Sequence, residues 1–225
     1  MREEIKKQLN KLVSSDHNVR NDSFLNISLS VESVLIPSLT RDNEQLLDLH
    51  GLKKLRLTES EARIVLEKMS DNLCNNTIPL EIQVGIVSLL GKFKNIKYLE
   101  AVMRFLGQSY YNLDNEQVYS TLAAINPQDF SKEELVLIIE LIQKSLLMEV
   151  LVELRKRNND KVNDAIFGMW VKLRGINCLD ECYFEEYIRS VLWYIRENYI
   201  LLDNENINSV LKLLSVKYLS SFDSE

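Results

Sequence analysis

Glycine and proline are scarce: six and three in 225 residues. A sandwich or barrel would need more of both at its turns, so the composition favours helices. A signal-peptide core is also lacking, because no apolar run follows the mixed charges of Arg2, Glu3, Glu4, Lys6 and Lys7; the chain is expected not to be exported. The greasiest stretch, residues 135–154, is interrupted by Glu140, Lys144, Glu149 and Glu153, which is too much charge for a membrane span. The three cysteines, Cys74, Cys178 and Cys182, are an odd number that argues against a disulfide framework and fits free thiols in a reducing cytoplasm.

The same scarcity limits the chemistry. Cys178 and Cys182 would share a helical face, but a structural zinc wants four ligands, and the only histidines, His17 and His50, lie far off in the sequence. No metal site is expected, and the cysteines read as small hydrophobes. Gly85 and Gly91 sit in a helical pattern without the Gly-Lys-Ser/Thr close of a phosphate loop, so no cofactor is expected. Glu185 and Glu186 are adjacent and would diverge on a helix rather than converge on a substrate. No catalytic residue is assigned. An active site assembled from distant segments would leave no trace in such spacings.

The chain is nevertheless well supplied for a core. With 46% hydrophobic and 27% charged residues it falls in the ordinary globular class. Its net charge of -6 repels phosphate backbones overall and favours a basic protein as partner.

Helical signatures recur along the chain. Thr58 and Glu61 form a capping box ahead of the stripe Ala62, Val65, Leu66, Met69 and Leu73. A second segment enters through Thr77 and Pro79 and carries Ile82, Ile86, Leu89, Leu90 and Phe93, with Gly91 placed to help end it. Asn95 caps a third, bearing Ile96, Leu99, Met103 and Leu106, with Gly107 as its expected left-handed terminus. Asp114 opens a fourth, which stops before Pro127. Ser131 and Glu134 box a fifth, with Leu135, Ile138, Ile142 and Leu146 in register and helical sequence continuing, with room for a bend, to Arg157. Further helices are expected after Asn159, after Asp180 and from about Asn204; near the N-terminus, one should carry Ile5, Leu9 and Leu12, and others should start near Asp16 and Asp42, with Pro37 between them.

Thr58, Asn95 and Ser131 lie about 36 residues apart, the spacing of a helical-repeat array. Within it, Gln83 and Val84 through Leu90 and Gly91 resemble the second helix of HEAT repeats, whose pattern places a valine early and a Leu-Gly pair late. Gln117 and Val118 echo the start, while Ala123 and Ala124 replace the Leu-Gly end. Gly85 and Tyr119 stand where the family usually has arginine. The resemblance covers residues 58–157 and implies an all-α fold of antiparallel helix pairs stacked as a short HEAT-like or armadillo-like solenoid, with an irregular helical bundle as the alternative; no low-complexity linker interrupts the chain, so a single domain of residues 1–225 is expected.

Two surfaces are candidates for binding. Tyr183, Tyr187 and Tyr194 adjoin the inner stripe of the segment after Asp180, beside Glu185 and Glu186, and aromatics flanked by charge make good protein-interface anchors. The structural alternative is that these rings close the end of the core and the acids favour a helix N-terminus. Arg155, Lys156, Arg157 and Lys161 form a basic run suited to phosphates, although cations also complement a helix C-terminus.

Stacked helix pairs offer an extended surface rather than a reactive cleft, so the resemblance implies a non-enzymatic protein-binding module in the cytoplasm. In its concrete form, small acidic HEAT-like proteins resemble bacterial immunity-type proteins that neutralise cationic toxin domains. The alternative is a helical-repeat protein binding nucleic acid, of DNA-repair type, through the basic run.

Overall fold

The capping residues open helices in the computed structural model, which describes residues 2–127, 130–145, 147–157 and 159–173. Ten α-helices and no strand occur among them: α1 Glu3–Lys11, α2 His17–Leu35, α3 Thr40–Leu49, α4 Glu59–Asp71, α5 Leu80–Lys92, α6 Ile96–Ser109, α7 Asn115–Ala124, α8 Lys132–Lys144, α9 Leu147–Arg155 and α10 Asp160–Leu173. The fold is all-α. The helices expected after Asp180 and from Asn204 lie outside the described residues.

Caps explain most of the starts. Thr58 Oγ1 accepts the Glu61 N–H at 3.2 Å while the Glu61 carboxylate accepts the Thr58 N–H at 3.0 Å, and Ser131 and Glu134 repeat the exchange at 3.3 and 2.9 Å. Asp114 and Gln117 make the same reciprocal pair ahead of α7, at 2.8 and 3.0 Å. Asp16, Asn95 and Asn159 each accept an N–H from the first turn of α2, α6 and α10. Leu35 ends α2 two residues before Pro37, and a short 3-10 turn, Pro37–Leu39, leads into α3.

Three boundaries differ from expectation. Gly107 lies inside α6, which runs on to Ser109. Gly91 lies inside α5, and the left-handed residue that follows is Lys94, with φ 47°. The Ser131 helix ends at Lys144, and a separate helix, α9, carries the helical sequence on from Leu147 to Arg155. Helix α9 buries Leu147, Val150, Leu151 and Leu154, at helical spacing. Helix α3 begins at Thr40 rather than near Asp42.

The described residues gather into two compact units, one of residues up to 112 with 123–125 and the other of residues 113–122 with those described from 126 to 173. In the second, α9 packs against α8 and α10. In the first, α2 is the hub, in contact with α1, α3, α4 and α5, while α4 and α5 pack on each other and on α6.

The hub is buried on nearly every side, although its sequence is rich in polar residues: Ser23, Asn26, Ser28, Ser30, Glu32 and Ser33 are all buried. An unsatisfied buried polar group costs roughly 1–3 kcal/mol, so each needs a partner. Ser23 donates to Gln8 on α1, and Ser28 and Ser33 donate to carbonyls one turn back in α2. Asn26 donates to the Lys53 carbonyl at 3.1 Å and Ser30 accepts the Leu55 N–H at 3.0 Å, fastening the non-helical stretch 52–57 along the hub. Glu32, 3% exposed, accepts from Lys92 Nζ at 2.6 Å and from the Asn43 amide at 3.4 Å.

Two glycines permit close helix approach. A Cβ on Gly85 would meet the Phe24 ring at 2.7 Å, which explains why no arginine stands there. A Cβ on Gly91 would meet Ala124 Cβ at 2.7 Å and its Cα at 2.8 Å, so the ends of α5 and α7 touch backbone to backbone.

Candidate functional site

The partner-binding residues read from the sequence, Tyr183, Glu185, Glu186, Tyr187 and Tyr194, lie outside the described residues, as do Cys178 and Cys182. The basic run is largely described. Arg155 is the last residue of α9. Lys156 pairs with Glu153 at 2.6 Å, Arg157 donates to the Leu113 carbonyl at 2.6 Å and Lys161 pairs with Glu116 at 3.0 Å. These three cations are thus engaged within the chain. Cys74 is half-buried, and that burial pushes its thiol above the ordinary cysteine value, against a smaller opposing effect of Arg104.

A feature that sequence spacing did not reveal is a cleft of about 470 Å³ walled by α1, the end of α4, the 72–79 connection and α5. It falls within the usual range of ligand pockets. Both ends of α1, its outer wall, are held by arginines. At the N-terminal end, Arg2 donates from Nε and Nη2 to the two carboxylate oxygens of Glu61, at 2.7 and 2.9 Å, and to the Arg56 carbonyl. At the other end, Arg20 on α2 donates to the Ser14 and Ser15 carbonyls at 2.8 and 3.0 Å and to Glu81 at 2.7 Å. Hydrogen bonding to these guanidinium groups holds the Glu61 carboxyl at about 2 and the Glu81 carboxyl below its ordinary value.

The interior of the cleft is amphipathic. Leu12, Met69, Ile78 and Ile86, which border it, are buried core residues. Lys6 and Lys68, both exposed, supply charge, and Asn10 and Asn72 line it as well. No described carboxylate residue lines it. Lys6 has Glu3 at 3.3 Å as its ion-pair partner, whereas Lys68 forms no ion pair among the described residues. Apolar positions Leu12 and Met69 were legible as core stripes; their meeting across α1 and α4 depends on tertiary packing.

Two further findings bear on what the chain can do. Among the described residues no helix is long and apolar enough to cross a membrane. No protein-family model matches the chain, and no curated protein or solved structure shows significant similarity to it.

Proposed function

We propose that the chain is a non-enzymatic protein-binding module built on helical repeats of HEAT-like or armadillo-like kind. The observation that carries this reading is the recurrence of a side-chain-capped helix at Thr58, Asn95 and Ser131, each cap formed by a hydrogen bond to its own first turn. Packing of α4 on both α5 and α6 supports it, since paired helices that also contact the next pair are the building unit of such arrays.

The partner is a basic protein in the cytoplasm, met through Tyr183, Glu185, Glu186, Tyr187 and Tyr194. With a net charge of -6, capture of a cationic domain would be accelerated electrostatically. The most specific form of the reading is an immunity-type protein that neutralises a cationic toxin domain, an analogy resting on repeat pattern and charge. Nucleic-acid binding is the weaker reading, because Lys156, Arg157 and Lys161 already have partners within the chain.

Affinity capture from host cells with the wild-type chain and with Tyr187→Ala/Glu186→Lys tests the proposal. A captured basic protein that is lost with the double variant supports it; a partner retained equally by both removes the proposed surface. A parallel nucleic-acid retention series in salt would reverse the order of the two readings if binding were salt-sensitive and abolished by Arg155→Glu.

A further inference from the structure

We propose that α1 is a releasable strap: it leaves α2, α4 and α5 as a unit while the rest of the first unit stays folded, and so gates access to the apolar side chains beneath it. The inference is independent of the protein contact proposed above.

Three observations carry it. First, α1 is packed mainly along one side. Of the other helices only α2 packs extensively against it, and towards α4 and α5 it faces the cleft of about 470 Å³, space that a close-packed interior would fill. Second, its polar attachments are few. Among the described residues, the hydrogen bonds that join α1 and its N-cap to the rest of the fold involve Arg2, which donates to Glu61 and the Arg56 carbonyl, and Gln8, which accepts from Ser23. Third, α2 does not depend on α1 for its start. Arg20 ties the Ser14 and Ser15 carbonyls to α2 and Asp16 caps it, so the pivot falls between Lys11 and Ser14, outside both helices.

The closing force is apolar, from Ile5 and Leu12, 1% and 3% exposed, and the Arg2–Glu61 pair is the catch. Nine residues are too few for a helix to persist alone in water, so α1 unwinds as it leaves and the opening is a local unfolding step. What release uncovers is core surface of α4 and α5: Met69 and Ile86, both buried, border the cleft. The remaining helices keep their packing, since α2 still holds α3, α4 and α5, and α4 and α5 still hold α6.

Amide hydrogen exchange of the full chain in low, non-denaturing urea tests this, because the urea dependence of each amide reports how much surface its opening exposes. The α1 amides are expected to share one opening, with a smaller urea dependence than the slowest amides of α4, α5 and α6 and exchange roughly tenfold faster or more. Lys92→Ala, which removes the ion pair between α5 and Glu32 of α2, should speed those slowest amides about thirtyfold and leave α1 unchanged, whereas Arg2→Ala should speed α1 as well. In Met69→Cys, alkylation at position 69 should follow the α1 opening and likewise ignore Lys92→Ala. Exchange of α1 in step with α4–α6, urea-independent exchange of α1 residue by residue, equal acceleration of α1 by Lys92→Ala, or alkylation at position 69 that follows the α4–α6 amides would each overturn the proposal.

Discussion

Arg2 holds both oxygens of the Glu61 carboxylate, at 2.7 and 2.9 Å, while the same carboxylate accepts the Thr58 N–H and completes the cap of α4. One acid therefore serves two tasks: it starts α4 and it fixes the N-terminal end of α1. Because the guanidinium favours the ionised form, the Glu61 carboxyl lies at about 2 instead of its ordinary 4.5. A depressed carboxyl stabilises the fold above the ordinary value and loses that contribution as pH falls through its folded value. The stability difference between the wild type and Arg2→Ala is therefore expected to be full at pH 7 and to shrink between pH 4.5 and about 2. Urea midpoints at pH 7, 4 and 3 measure it, and a difference that grows on acidification would contradict the assignment.

Glu32 and Lys92 present a different balance. Glu32 is buried and Lys92 is half-exposed, so removing the ammonium leaves a carboxylate in the core with only the Asn43 amide on its other oxygen. Breaking a fully buried pair costs about 3–5 kcal/mol; with one partner in solvent, Lys92→Ala is expected to cost about 2 kcal/mol. Glu32→Gln, which removes the charge and keeps an acceptor, should cost less. Chemical denaturation of the two variants gives the order, and a larger loss for Glu32→Gln would reject it.

The two helix glycines separate propensity from packing. Alanine for glycine in a helix gains about 1 kcal/mol when space exists. At Gly85 the added methyl meets the edge of the Phe24 ring, a side chain that can turn; at Gly91 it meets the Ala124 backbone. Gly91→Ala is expected to be destabilising by about 1–3 kcal/mol and to be worse than Gly85→Ala. Ala124→Gly should partly rescue Gly91→Ala, because it removes the nearer of the two obstructing atoms. Thermal unfolding of the three variants checks both statements.

Cys74 should be slow to react. Burial raises its thiol, leaving less thiolate at neutral pH than an unperturbed cysteine would have. Iodoacetamide labelling followed at the Cys74 peptide is expected to lag behind the same peptide free in solution at pH 7.5, and equal rates would refute the effect.

What was legible in the sequence had a local cause. Thr58 with Glu61 and Ser131 with Glu134 announce their helices because a cap is made within one turn of the chain. Helix α2 was legible only at its start, Asp16. Nothing local marks its serines, Asn26 and Glu32 as buried, because the partners that satisfy Asn26, Ser30 and Glu32, namely Lys53, Leu55, Asn43 and Lys92, come from other elements. The break after Lys144 carries no glycine or proline, and the apolar pattern runs across it from Ile142 to Leu146 and Leu147, so nothing local marks it. The cleft has the same origin: its apolar residues belong to separate stripes that only packing brings together.

The stretch 52–57 would be taken for a tolerant surface loop, since it contains no regular element. Its fastening by Asn26 and Ser30 makes its length as fixed as that of a helix: Leu55, 3% exposed, occupies a core position that an inserted residue would shift out of reach of Ser30. Insertions tolerated elsewhere between helices should fail here, and the Leu55 amide, although outside every helix, should exchange with solvent only when the hub itself opens.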